Sequence, residues 1–146
     1  MELTPLIQAA SDGDLDAVKK ALENGANINE SAKNGSTALI YAAQNNRIDV
    51  VKFLVESGAD VNLKNKVGGT ALNRAAENIN VELMQYLLEK GAEVGPLVLL
   101  IAARQGKLAA VKLLVEAGAD INATSHWGHT PLMLAAKEGH ADIIRY

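Results

Sequence analysis

Apolar and polar positions along this chain follow a helical rhythm that restarts at regular intervals. Across 31–62, SAKNGSTALIYAAQNNRIDVVKFLVESGADVN, a polar turn leads into Leu39 and an alanine pair, Ala42 and Ala43. After a polar break, a second apolar stripe runs through Ile48, Val51, Leu54 and Val55, at the spacing of one helix face. The pattern predicts a turn, a short helix, a tight reversal and a second helix ending at Gly58.

The same phrase recurs along the chain. Alanine pairs begin at Ala9, Ala42, Ala75, Ala102 and Ala135, spaced by 33, 33, 27 and 33 residues. Gly-Ala pairs at Gly25, Gly58, Gly91 and Gly118 repeat the 33, 33 and 27. Two independent markers share one period and one irregularity, the signature of a repeat array. Each unit has a local logic. Thr4-Pro5, Thr37-Ala38, Thr70-Ala71 and Thr130-Pro131 place a capping threonine before proline or a good helix former. The glycine of each Gly-Ala pair falls where the second helix ends and a left-handed residue is needed. Lys33-Asn34-Gly35 and Trp127-Gly128 carry turn chemistry.

These motifs, T-P-L…A-A and G-A-D-V-N at 33-residue spacing, resemble the ankyrin repeat over essentially the whole chain. The resemblance implies an all-α fold, an ankyrin-repeat α-solenoid of stacked helix-turn-helix units with short β-hairpin-like loops. It implies one domain over 1–146, in units 1–30, 31–62, 63–94, a shortened 95–122 and an incomplete 123–146. The physics agrees, since one helix pair cannot bury its own apolar face and neighbours must stack.

The departures from the pattern are specific. The fourth unit is six residues short, running from Gly91-Ala92-Glu93-Val94 through Gly95-Pro96 into an apolar helix. Gly95 is expected to cap that helix with Pro96 at its first position, leaving no hairpin finger there. The histidine that the family usually carries after T-P-L is replaced by Ile7, Ile40, Asn73, Leu100 and Met133, so a polar network is not expected. The reversal between helices reads Gly13, Asn46, Ile79, Gly106 and Gly139. A left-handed Ile79 would be strained, so Asn78 or Asn80 is expected to take that conformation, or the reversal to differ in shape. In the second helices one apolar position reads Phe53, Tyr86, Leu113 and Tyr146, yet its first-unit counterpart is Lys20, which points to a polar N-terminal cap. At the other end, Ile143-Ile144-Arg145-Tyr146 stops midway through a helix with no polar terminal unit. The expectation is a longer natural chain or another molecule over that end, self-association through the uncapped C-terminal end included.

Composition narrows the function classes. Apolar residues make up 49% of the 146 but aromatics only 3%, so the core is built from Ala, Leu, Val and Ile. The 14 basic and 17 acidic side chains give a net charge of −3, with no global pull toward nucleic acid or an anionic membrane. With no cysteine, disulfides, thiolate metal sites and a cysteine nucleophile are excluded. The start of the chain lacks a basic segment followed by an apolar run, and the longest apolar run, 97–103, is far short of a membrane span, which needs roughly 20 residues. A cytoplasmic protein is expected.

No catalytic constellation, cofactor motif or metal set emerges. His126, His129 and His140 lie in the fifth unit without a carboxylate or thiolate at diagnostic spacing. Gly68-Gly69 has no following Lys-Ser/Thr, so it is a turn and not a phosphate loop. The reading is a non-enzymatic protein-interaction module. The alternatives are an accessory segment of a larger enzyme or regulatory protein, or a spacer. The resemblance implies that a protein or peptide partner binds the concave face made by loop tips and first helices. The matching positions are Lys33, Asn34, Ser36, Tyr41, Gln44, Asn45, Lys66, Val67, Gly69, Arg74, Glu77 and Asn78. They continue with Arg104, Gln105, His126, Trp127, His129, Lys137 and Glu138. Trp127 and Arg74 are the leading anchors, because aromatics and Arg are enriched at binding hot spots. The opposing reading folds Trp127 back over the neighbouring hairpin. Lys33, Lys66, Arg74, Arg104 and Lys137 outnumber Glu77 and Glu138, which favours an acidic surface on the partner.

Overall fold

The computed structural model describes residues 3–119, 130–132, 140 and 144. Eight helices among them come in four consecutive pairs: α1 (Pro5–Asp12) and α2 (Leu15–Glu23), α3 (Ala38–Gln44) and α4 (Ile48–Glu56), α5 (Ala71–Glu77) and α6 (Val81–Glu89), α7 (Pro96–Gln105) and α8 (Leu108–Glu116). The all-α expectation holds. Strand pairing among the described residues is one antiparallel bridge, Ser31 with Thr37. No helix among them is long and apolar enough to cross a membrane.

The helix ends follow the local chemistry. Thr4, Thr37 and Thr70 accept from the backbone N–H three residues on, at 3.2–3.3 Å, so each satisfies one orphan donor of a first helix. Asp14 and Asn80 do the same for α2 and α6. At the other end, Ala26 N donates to Ala21 O, and Ala59, Ala92 and Ala119 repeat that six-residue closure on Leu54, Leu87 and Leu114. The intervening Gly25, Gly58, Gly91 and Gly118 have φ of +91° to +101°, the left-handed residue that this closure requires.

The contacts gather into two compact units, Met1–Arg74 and Ala75–Tyr146, which divide within α5. In the first, α1 packs on α2 and α3, and α4 packs on α3 and α2. Its core is Leu6, Ile7, Val18, Leu39, Ile40, Val50, Val51 and Leu54, with the alanine pairs Ala9-Ala10 and Ala42-Ala43 where helices approach closely. In the second, α8 packs on α7 and α6, around Leu83, Met84, Leu87, Val98, Leu99, Ala102, Ala103 and Leu114. The positions that lack the family's histidine are closed by packing instead. Ile7, Ile40 and Leu100 are 0–4% exposed, and Asn73 donates Nδ2 to Gly68 O at 3.4 Å. Met133 lies outside the described residues.

The start of the shortened repeat takes the expected form. The linkers before α3 and α5 cover 24–37 and 57–70, whereas the one before α7 covers only 90–95. Gly95 takes extended backbone as the cap, Pro96 starts the helix, and no finger forms.

The third reversal corrects the sequence expectation. Ile79 itself is left-handed at φ +57°, like Asn46, and neither Asn78 nor Asn80 relieves it. Ala75–Ala76 and Asn80 fix it there: Ile79 N donates to Ala76 O, and Asn80 N to Ala75 O, both at 3.0 Å. The turn geometry thus overrides side-chain preference. A β-branched residue in this region costs about 1–2 kcal/mol, and Ile79 recovers little by burial because it is 41% exposed. Ile79→Gly should therefore raise stability by about 1 kcal/mol after allowing for the extra freedom that glycine gives the unfolded chain. Urea denaturation checks this, and a midpoint at or below that of the parent chain would contradict it.

Candidate partner-binding surface

Two neighbouring loops of the first unit form matched tight turns. In the first, Gly35 N donates to Ala32 O at 2.9 Å, which leaves Lys33 and Asn34 at the tip. In the second, Gly68 N donates to Asn65 O at 3.0 Å, with Lys66 and Val67 at the tip. The loops are joined by a backbone bond from Lys66 N to Asn34 O, at 2.9 Å. Gly35 permits this approach: it has φ +81°, and a Cβ there would stand 3.0 Å from Lys66 N.

Side chains fix what the backbone joins. Asn34 Oδ1 accepts from Ser36 N at 2.9 Å, and Asn34 Nδ2 donates to the Tyr41 hydroxyl at 3.1 Å, tying the tip to α3. Ser36, expected at the recognition surface, is only 2% exposed, and its hydroxyl accepts from Asn65 Nδ2 at 3.2 Å. Its role lies inside the loop pair. Asn65 is the organising residue that sequence reasoning missed. It is 8% exposed, and its Oδ1 accepts from Gly69 N at 2.8 Å and Val67 N at 3.1 Å. The available signal was the Asn-x-x-Gly-Gly spacing, since an Asn side chain readily caps its own turn.

Lys33 and Lys66 are exposed, and among the described residues neither ammonium has a hydrogen bond or an ion pair. Val67 beside them is 79% exposed. Tyr41 and Arg74 are half-buried on α3 and α5. A Cβ on Gly69 would lie 3.2 Å from the Arg74 Nη2, so that glycine leaves room for the guanidinium. Lys33, Asn34, Tyr41, Lys66 and Val67 are thus brought to one finger pair.

Residues at the helix reversals have a second use. Exposed Asn45 donates Nδ2 to both Ser11 O (3.1 Å) and Ser11 Oγ (2.9 Å), and Arg47 Nε donates to the same carbonyl at 3.1 Å. In the second unit, Gln105 Nε2 donates to Glu77 O at 3.0 Å, and His140 Nε2 pairs with Arg104 O at 3.0 Å. Ser11, Glu77 and Arg104 hold equivalent positions in their repeats, so Asn45 and Gln105 stitch successive reversals together. Gln44, Asn78 and Arg104 are exposed and Glu77 half-buried. His126, Trp127, His129, Lys137 and Glu138 lie outside the described residues. Among the described residues no group of three His, Cys, Asp or Glu is arranged to hold a metal ion.

Comparison with known proteins agrees with this architecture. Residues 6–97 and 99–146 match the family pattern described as ankyrin repeats (3 copies). Over 45 residues, 31% of the chain, it is 49% identical to protein phosphatase 1 regulatory subunit 27 of Mus musculus, covering 29% of that protein. It is 44% identical over 45 residues to cyclin-dependent kinase 4 inhibitor B of Rattus norvegicus, covering 35% of it. An ankyrin repeat protein of Rickettsia felis is 48% identical over 46 residues, which are 73% of its length. The chain spans about a third of the length of the first two relatives. Threonine-capped first helices, alanine-pair packing, glycine-closed second helices and a family match across nearly every residue lead to one assignment: this chain belongs to the ankyrin repeat family.

Proposed function

We propose that the chain is a non-catalytic recognition module that binds an acidic segment of a partner protein through the finger pair of its first unit. The observation that carries this reading is the pair of exposed, uncommitted ammonium groups of Lys33 and Lys66, on loops locked together by the Lys66 N to Asn34 O bond. Ordered loops lose little freedom on binding, so less of the contact energy is spent on ordering them. Val67 offers an apolar contact beside the charges, while Tyr41 and Arg74 stand on the adjoining helices. Ankyrin repeats are a protein-interaction module, and relatives named as a phosphatase regulatory subunit and a kinase inhibitor support a regulatory role. The cysteine-free sequence fits action in the reducing cytoplasm.

The test uses the whole chain and fluorescent peptide sets that are matched in apolar content but differ in charge. Acidic peptides should bind best, with affinity falling as salt rises. Lys33→Glu with Lys66→Glu should weaken that binding by about tenfold or more without moving the melting transition. Equal binding of acidic and basic sets, or a double variant with parental affinity, would overturn the assignment.

A further inference from the structure

Where glycine follows asparagine, the backbone can attack the asparagine side chain with little hindrance, because glycine has no Cβ to shield its nitrogen or restrict its dihedrals. The chain has two such pairs, Asn24-Gly25 and Asn34-Gly35, and both asparagines are exposed. Each glycine donates its N–H to a nearby carbonyl, Gly25 to Leu22 O at 3.1 Å and Gly35 to Ala32 O at 2.9 Å. The attacking nitrogen is therefore held alike in the two pairs. What surrounds it is not alike.

Asn34 is fixed at three points. Its Oδ1 accepts from Ser36 N at 2.9 Å, its Nδ2 donates to the Tyr41 hydroxyl at 3.1 Å, and its carbonyl accepts from Lys66 N at 2.9 Å. The glycine beside it is packed in as well, since a Cβ on Gly35 would stand 3.0 Å from Lys66 N and 3.2 Å from Asn65 Cα. Asn24 lacks this support. Among the described residues its side-chain amide makes no hydrogen bond, and a Cβ on Gly25 would meet nothing within 4 Å. It stands at the end of α2, and helix ends open locally at low cost.

We propose that Asn24 is a self-modification site, converting to aspartate and isoaspartate in the folded chain, while the bonds on the Asn34 amide spare that residue. Gly25 N loses its proton to solvent and attacks Asn24 Cγ. The new N–Cγ bond closes a cyclic imide as the Cγ–Nδ2 bond breaks, and Nδ2 leaves as ammonia after taking a proton from water. Water then opens the imide. Attack at Cγ gives aspartate, and attack at the main-chain carbonyl gives isoaspartate, with the chain running on through Cγ. Both products place a carboxylate beside Glu23 at the negative end of α2. Isoaspartate also adds a methylene to the main chain inside the closure from Ala26 N to Ala21 O, so the first repeat loosens there. The same reaction at Asn34 would put a carboxylate next to Lys33, which makes the Tyr41 bond a guard on the finger pair.

Incubating the whole chain in heavy-oxygen water at mildly alkaline pH, then digesting it with trypsin in ordinary water, separates conversion in the protein from conversion during digestion. Cleavage after Lys20, Lys33 and Arg47 puts the two sites on different peptides, 21–33 and 34–47, for mass mapping. Two hydrogen bonds of ordinary strength restrain the Asn34 amide, so it should convert about tenfold or more slowly than Asn24. That preference should vanish in urea, where both pairs are unfolded. Tyr41→Phe removes the acceptor of Nδ2 and should speed conversion at Asn34 several-fold while leaving the Asn24 rate unchanged. Asn34 converting as fast as Asn24 in the folded chain, no conversion at Asn24 while the unfolded chain reacts, a preference that persists in urea, or a parental Asn34 rate in Tyr41→Phe would each overturn the proposal.

Discussion

Exchanging Asn65 for Ala should lower the unfolding free energy by about 2–3 kcal/mol, an expectation that follows from what the side chain holds. Its Oδ1 takes the N–H groups of Gly69 and Val67, and its Nδ2 reaches the Ser36 hydroxyl. Gly69 and Ser36 are buried, so water cannot replace Asn65 at those two places. A buried donor left without an acceptor costs about 1–3 kcal/mol, and the lost bond to Ser36 adds about 1. Val67 N–H lies at an exposed tip where solvent can reach it, so it adds little. Asn65→Asp keeps the acceptor for both N–H groups and should retain most of the stability. Urea denaturation of the two variants separates a hydrogen-bonding role from simple space filling. If Asp were as damaging as Ala, the acceptor function assigned to Oδ1 would be wrong. The same change bears on recognition, because Asn65 sets the turn that presents Lys66 next to Lys33.

Why Asn65 escaped sequence reading while the helices did not is a matter of range. Apolar spacing, threonine caps and terminal glycines act within one or two helical turns, so each α-helix and each closure at Gly25, Gly58, Gly91 and Gly118 could be read from neighbours in the chain. The loop tips at Lys33 and Lys66 were legible for the same reason. The division of labour among the polar loop residues was not. Ser36 and Asn65 are far apart in sequence, and only the register of two stacked repeats makes one the partner of the other. Asn45 and Gln105 likewise look like free surface amides until the preceding reversal supplies the carbonyls of Ser11 and Glu77. Ile79 shows the converse limit. Residue preference argued against a left-handed backbone there, but the two flanking helices dictate the turn and the side chain accepts the strain.

Gly106→Ala should destabilise the second unit by about 2–3 kcal/mol, for two reasons that experiment can separate. Gly106 has φ +76°, where an alanine costs about 1–2 kcal/mol. In addition, its Cβ would run into the His140 ring, 2.7 Å from Nε2 and 2.5 Å from Nδ1. The ring would have to leave, breaking the bond from Nε2–H to Arg104 O, a further loss of about 1 kcal/mol. In a His140→Ala background that bond is already absent and the space is empty, so Gly106→Ala should cost only the backbone strain. A double-mutant cycle should accordingly return a coupling of about 1 kcal/mol. The equivalent cycle at Gly13 and Arg47 offers an internal contrast. There the Cβ would meet Arg47 Cδ at 2.7 Å, but the long, exposed arginine can re-route its methylenes and keep Nε on Ser11 O, whereas the short histidine must give up its bond to Arg104 O when its ring moves. Coupling at Gly13 should be the smaller of the two. Strict additivity at Gly106 would mean that the imidazole does not lie over this reversal. The two values together tell whether the stitching between repeats depends on where the donor side chain lies over the reversal or only on a donor within reach of the carbonyl.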